Sequence, residues 1–311
     1  MDNEVQDGPY ERFHDNGLLW AKGTYKDGYY DGPYERFHDN GQLWEKGSFK
    51  DGYQDGPYER FHDNGQIEEK GSFKDGYQDG PYESFYKNGQ LFLKQIYKDG
   101  KLCDGTYEVF HENGQLKEKK FYKDGNRIDG PYERFHDNGQ LWEKGSFKDG
   151  YQDGLLQLFY ENGQLEEKAS LKDGELDGPY ERFYENGLLM GIGSYKGGLP
   201  DGPFEMFHDN GQLWEKGSFK DGYQDGLIEV YHKNGRLLGK DIYKDGNRID
   251  GSFERFHDNG QLWEKGSYKA GYQDGPYERF YEHGHLWEKG SYKAGYQDGP
   301  YERFHDNGQL E

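Results

Sequence analysis

The chain has 311 residues, a formal net charge of −21 at pH 7, 31% hydrophobic and 18% aromatic residues, and one cysteine. Surplus acid argues against nucleic acid and anionic lipid as partners, since both are met by basic patches. A mean hydropathy of −1.29 is too polar for a conventional two-layer core, while the aromatic content is too high for a disordered chain.

Residues 1–6 fill the place of a turn and read as no basic, apolar, cleavable leader. Asp-Gly then opens a unit at Asp7, Asp31, Asp55, Asp79, Asp104, Asp129, Asp153, Asp177, Asp201, Asp225, Asp250, Asp274 and Asp298. The spacing is 24 residues nine times and 25 three times. A fixed period in this range marks a repeat array of about 12.5 copies. The extra residue falls in one loop each time, in KDGKLCDG (98–105) and KDGNRIDG (123–130 and 244–251). A loop absorbs an insertion where a strand register does not.

Residues 31–54, DGPYERFHDNGQLWEKGSFKDGYQ, show one unit clearly. A first strand is predicted over 33–38 and a second over 43–50. Between them Asn40-Gly41 predicts a two-residue type I′ turn, because both central residues of that turn need positive φ. This places His38 opposite Leu43, Phe37 opposite Trp44, Arg36 opposite Glu45, Glu35 opposite Lys46 and Tyr34 opposite Gly47. Such pairs contribute roughly 0.2–1 kcal/mol each. Asn-Gly recurs in every unit except the one with His283-Gly284.

Comparing the units separates packed from exposed positions. The Phe37 position is always aromatic, the Leu43 position always Leu or Ile, and the Phe49 position always Phe, Tyr or Leu. The Trp44 position holds Trp20, Trp44, Trp142, Trp214, Trp263 and Trp287, but elsewhere Glu68, Phe92, Lys117, Glu166, Met190 and Leu238. A position that accepts Glu and Lys faces water. The six Trp residues are therefore the candidate partner-binding residues, in a row on one face. Packing against Phe37-type rings is the competing reading.

The units over 80–120 and 154–200 are the most divergent, with Gln95, Lys120, Leu156 and Gly197-Gly198 at usually fixed places. They read as drifted copies. Pro9 and Pro300 open the outermost first-type strands, which blunts a sheet edge. The expected fold is all-β: an elongated, single-layer antiparallel meander or half-rolled sheet of tandem β-hairpins, one solenoid-like domain over 1–311. Within 31–54 five acids (Asp31, Glu35, Asp39, Glu45, Asp51) stand against three bases (Arg36, Lys46, Lys50), so acidity belongs to the repeat itself.

The run Gly-Ser-Phe-Lys-Asp-Gly-Tyr-Gln-Asp-Gly-Pro-Tyr-Glu-Arg-Phe-His-Asp-Asn-Gly (47–65) resembles a MORN-type repeat. It is most similar to the bacterial MORN-repeat variant, whose units run Asp-Gly-x-Tyr…Tyr-x-x-Asn-Gly-x-Leu. Proteins labelled YwqK-family antitoxins, and long arrays in surface or secreted proteins, belong to that group. The resemblance implies a β-hairpin array used as an interaction scaffold, with no catalytic residues.

Chemistry in the repeat is weighed against structure. His-Asp pairs such as His38-Asp39 and His257-Asp258 look like acid–base dyads, but a catalytic site needs one asymmetric constellation in a pocket. A metal shared along the His row fails because equivalent residues lie two strands, about 9–10 Å, apart. Asp51 and Asp55 match no calcium-loop spacing. A lone Cys103 makes neither a disulfide framework nor a cysteine metal site. No cofactor, metal or enzymatic activity is expected. The expectation is a cytoplasmic protein–protein scaffold, antitoxin- or immunity-like, for a partner that is basic. The alternative is a surface or secreted adhesin, part of a longer chain, whose Trp rings stack on glycans. No run is apolar enough to span a membrane.

Overall fold

The computed structural model describes residues 7–123, 126–127 and 129–311; residues 1–6, Asp124, Gly125 and Ile128, which carry part of one expected insertion loop, lie outside it. The described residues form two compact units, one ending at Tyr151 and one running from Gln152 to Glu311. Each is all-β and built from the same tandem hairpin, its strands antiparallel in an open sheet that does not close into a barrel.

In the first unit, the strands Gly32–Phe37 and Leu43–Lys50 form a hairpin. Gly32 faces Phe49, Pro33 faces Ser48, Tyr34 faces Gly47, Glu35 faces Lys46 and Arg36 faces Glu45. The three pairs predicted over this stretch hold. Nearer the loop the prediction fails, because the loop has three residues and not two. Gly41 N–H donates to the His38 carbonyl (2.9 Å), and His38 N–H donates to the Gln42 carbonyl (2.8 Å). Gly41 alone takes a positive φ, 82°. This is a type I turn followed by a left-handed glycine. Asn40 serves as an acceptor, its Oδ1 taking the Gln42 N–H at 2.9 Å.

The longer loop puts Phe37 opposite Leu43 while Arg36 still faces Glu45. One residue on the second strand is therefore surplus, and it is Trp44. The resulting β-bulge leaves Trp44 without a cross-strand partner. The expected Phe37–Trp44 pairing does not form.

The type I′ turn predicted at Asn-Gly stands instead at Asp-Gly. Asp51 and Gly52 have φ of 50° and 86°, and they return the chain into a short strand, Tyr53–Gln54. There Phe49 faces Gln54 and Lys50 faces Tyr53. The additional residue of the longer units follows this short strand. Cys103 N–H donates to the Ile96 carbonyl (2.8 Å), as Asp55 N–H does to that of Ser48 (3.0 Å), and Asp104 is then the extra residue.

Cross-strand partners share a face, and faces alternate along a strand. One face carries Tyr34, Gly47, Phe49, Arg36 and Glu45. Tyr34 is 3% exposed and lies over Gly47, where a Cβ would meet the ring at 3.0 Å. Its ring centroid is 4.7 Å from that of Phe49. Burying such a side chain contributes about 1.5–3 kcal/mol. Tyr58 and Tyr132 repeat this in the first unit, and Phe204, Phe253 and Tyr277 in the second. In these hairpins the core is a ring packed on a glycine of its own sheet; elsewhere Leu156 faces Ala169 and Ile228 faces Asp241.

Successive hairpins pair sparingly. Only Glu45↔Arg60 and Lys46↔Glu59 link one hairpin to the next in register, against six pairs within a hairpin. Side-chain bonds add to these two pairs. His38 Nε2 donates to the Phe61 carbonyl of the next hairpin (3.2 Å). Asn16 Nδ2 donates to the Asp39 carbonyl (2.7 Å), and Asp55 Oδ2 accepts from Asp75 N–H (3.3 Å). In the second unit His208 reaches Tyr231 (3.1 Å), Asn210 reaches Lys233 (2.8 Å) and Asp250 accepts from Ala270 N–H (2.7 Å). Each bond adds about 1 kcal/mol. The His-Asp-Asn-Gly segment is a clamp between repeats, and Tyr substitutes where His is absent: Tyr86 Oη donates to the Phe110 carbonyl (2.9 Å).

Candidate functional site

The bulge aims each Trp out of the ladder, toward the loop end of its hairpin. Trp20, Trp142, Trp214 and Trp263 are 37–43% exposed, and Trp44 and Trp287 are half-buried. The indoles lie on the arginine face, with the Arg12 and Arg134 guanidinium carbons 6.0 Å from the Trp20 and Trp142 ring centroids. Their ring neighbour is the residue that follows the first strand: His38 at 6.4 Å from Trp44, His208 at 6.2 Å from Trp214, Tyr281 at 6.2 Å from Trp287. Packing on Phe37-type rings does not occur, because Phe37 points to the opposite face, 5.8 Å from Lys22 Nζ. Nor is the row continuous. Adjacent repeats carry Trp20 with Trp44 in the first unit and Trp263 with Trp287 in the second, and other residues intervene elsewhere.

Beside the indoles runs a chain of ion pairs. Glu45, fully buried, binds Arg36 at 2.8 Å and Arg60 at 3.4 Å, and Arg60 passes on to Glu69 at 2.7 Å. Tyr34 Oη donates to Glu45 (3.0 Å). Burial, then the Glu45 charge, pushes the Tyr34 phenol up to about 12. In the second unit Arg279 bridges Glu264 (2.9 Å) and Glu288 (3.0 Å), and Arg303 joins Glu288 (2.8 Å).

The opposite face carries grooves of about 1070 Å³ in the first unit and about 1100 Å³ in the second. Their floor is paved with neutralised charge: Lys22–Glu35 and Lys46–Glu59 at 2.7 Å, and Lys265–Glu278 at 2.7 Å. With Arg36, Glu45, Glu35 and Lys46 all paired, the excess charge of the repeat resides in Asp31, Asp39 and Asp51 against Lys50. These sit at the two ends of the hairpin. At the loop end, exposed Asp15 and Asp39 stand in the loops that lead to Trp20 and Trp44.

Segments 6–27, 30–51, 54–75, 78–99, 104–124, 128–149, 152–173, 176–196, 200–221, 249–270, 273–294 and 297–311 match the MORN repeat variant. The chain belongs to the MORN-repeat-variant family. MORN repeats are generally protein- or membrane-binding modules. Residues 222–248 fall outside the match, although Gly226–Tyr231 and Leu237–Lys244 form the same hairpin. No curated protein matches the chain. Solved structures similar to it include the TcdB2-TccC3-Cdc42 crystal structure (11% identity, TM-score 0.21) and the Photorhabdus luminescens Tc holotoxin pore (9% identity, TM-score 0.19). In each, 97% of this chain is covered, but it spans only 17% and 18% of the other chain. Among the described residues no helix is long and apolar enough to cross a membrane.

The MORN hairpin also displays a feature that sequence reasoning passed over. Tyr53, which follows the Asp-Gly turn, is 64% exposed, more than any of the Trp residues, and Tyr29, Tyr77, Tyr223 and Tyr272 match it. Tyr53 leans over the next turn, 3.1 Å from where a Cβ on Gly76 would stand. The signal was present as a recurrent Tyr after Asp-Gly or Ala-Gly. It was hidden because that Tyr gives way to Lys101, Glu175, Leu199 and Asn247 in divergent copies. Asp55, which matched no calcium-loop spacing, makes a turn contact, its Oδ2 accepting the Asp75 N–H at 3.3 Å.

Proposed function

We propose that this MORN array is a non-catalytic scaffold that binds a basic partner protein along the loop ends of its hairpins. The observation that carries the reading is the placement of the Trp residues on bulges. The ladder has no need of them there, and the loops that lead to them carry exposed acid: Asp15 before Trp20, Asp39 before Trp44 and, before Trp214, Asp209 in an exposed pair with Lys233 at 3.0 Å. Aromatic rings and exposed acid suit cationic side chains, through cation–π and ionic contacts together. Repetition adds avidity without new chemistry. Within this reading the chain acts in a bacterial cytoplasm in an antitoxin- or immunity-like role, wrapping a partner and blocking it.

The test is affinity capture from soluble and wall fractions of the source cell. The native chain is compared with a variant in which the six Trp residues become Glu, a residue the fold already carries at Glu68 and Glu166. A discrete, soluble, basic protein retained by the native chain and lost by the variant supports the scaffold. Retention by wall glycan alone replaces it with the adhesin reading. Capture indifferent to the six substitutions moves the surface to the Tyr53 edge or the grooves.

A further inference from the structure

The loop Tyr281–His285 breaks the chemistry of its repeat. Asn-Gly-Gln becomes His283-Gly284-His285. One repeat earlier, Asn259 Nδ2 reaches forward to the Glu282 carbonyl (2.6 Å). At 283 an imidazole takes the amide's place. Its Nε2 lies 2.5 Å from Asp306 Oδ1 of the following repeat. His285 Nδ1 lies 2.8 Å from the Asp306 carbonyl oxygen. The two imidazoles stand edge to face, centroids 4.5 Å apart at 76°. Tyr281 stacks on His283 (5.7 Å, 15°), and its hydroxyl is fixed by the Phe304 carbonyl (3.0 Å).

We propose that His283, His285 and Asp306 bind one divalent transition-metal ion of the zinc and copper class, tying two successive repeats together. One ligand atom from each residue lies within 4.8 Å of the others. Ligand atoms around a tetrahedral zinc, each about 2.0–2.1 Å from it, are themselves about 3.3 Å apart. All three side chains are exposed, so small rotations suffice to gather them. The Nδ1–H of His285 donates to a carbonyl, which leaves its Nε2 lone pair free for the metal, a common outer-shell arrangement. Tyr281 orients the other imidazole. The ion takes the place of the proton between His283 Nε2 and Asp306, and water completes its coordination. Two imidazoles with one carboxylate favour zinc or copper over calcium, which takes six to eight oxygens. The two-strand spacing that rules out a metal on the regular His row does not apply, because two of these ligands share one loop. The inference is independent of the proposed partner surface.

The double variant His283→Asn, His285→Gln restores the Asn-Gly-Gln of neighbouring repeats, so its fold is the one the array already uses. Circular dichroism and a thermal melt of the double variant check this. Zn²⁺ alone is then titrated into the full chain against a chromogenic chelator. The native chain is expected to take up one ion that millimolar Mg²⁺ and Ca²⁺ do not displace. The double variant is expected to lose it, and Asp306→Asn to weaken it by at least about tenfold. No uptake by the native chain, or equal uptake by the folded double variant, overturns the site.

Discussion

The hairpins of Asp31–Gln54 and Asp225–Arg248 share strands, turns and bulge but not chemistry. In the first, Tyr34 covers Gly47, and Glu45 two residues away gathers Arg36 and Arg60. In the second, glycine and acid have changed places: Ile228 faces Asp241, and Val230 faces Gly239. The cation follows the acid. Arg255 reaches Asp241 at 2.5 Å and Arg248 reaches it at 3.0 Å. The stem of Arg255 lies across Gly239, where a Cβ would stand 2.6 Å from its Cδ. Ile228 remains buried as Tyr34 is. The exchange leaves a single ladder pair to the next hairpin, Gly239↔Arg255. Where an acid stands on this face it forms a set with a cation, a small residue and a bulky apolar group, and between these two hairpins the members have moved together. Lys120 departs from the set: it fills a glycine place while Glu118 keeps the acid place, pairs with Glu118 at 2.9 Å and covers the Tyr107 ring at 4.7 Å.

If the set is what matters, breaking one member costs most. Glu45→Ala is expected to lower unfolding free energy by about 3 kcal/mol, since it strands two arginines and a tyrosine hydroxyl around a buried site. A urea titration reads this, and a loss below about 1 kcal/mol contradicts the comparison. Asp241→Gly installs the residue common at that place in other repeats. It is nevertheless expected to destabilise by about 2 kcal/mol, because Arg248 and Arg255 lose their carboxylate. A more stable variant would mean that the positions act singly.

The next effect depends on pH. Hydrogen bonds from Lys216 and then Lys240 hold the Glu229 carboxyl down at about 2, against about 4.3 for an ordinary glutamate. A carboxyl depressed in the folded state stabilises above its unfolded pKa, and that contribution is lost as pH falls toward the folded one. Native protein should exceed Glu229→Gln by about 1–2 kcal/mol at neutral pH, solvent screening trimming the full linkage value. The gap should close between about pH 4.5 and 2. A pH-independent gap would assign Glu229 a packing role alone. The smallest effect concerns turns that neither hairpin varies. Ala270 occupies the Asp51 place with a φ of 51°, which disfavours a Cβ. Ala270→Gly is expected to gain about 0.5–1 kcal/mol, seen as a raised thermal midpoint.

Much of this was legible in the sequence, because period, strand order and three of the cross-strand pairs follow from repetition and charge. The loop was misread for a physical reason. Asn-Gly suits a two-residue turn, but it suits equally a three-residue loop in which only Gly41 is left-handed and Asn40 accepts a backbone N–H. The choice displaces Trp44 by one register and changes the face on which its neighbours lie. The clamp residues were invisible for another reason. His38, Asn16 and Asp55 bond across 20 to 23 residues, and no local pattern distinguishes a link to the next repeat from a turn-forming preference. The Arg255 exchange was beyond reach because it is a correlated change within one face.

The inequality between six ladder pairs inside a hairpin and two between hairpins has a mechanical consequence. Under tension between its ends, the chain should yield at the joints before the hairpins themselves open. Each hairpin that then unravels releases 24 residues, or about 80 Å of contour at about 3.3–3.6 Å per residue. A fold of this kind absorbs strain in small, reversible steps, and it keeps hold of whatever is bound to the hairpins still closed.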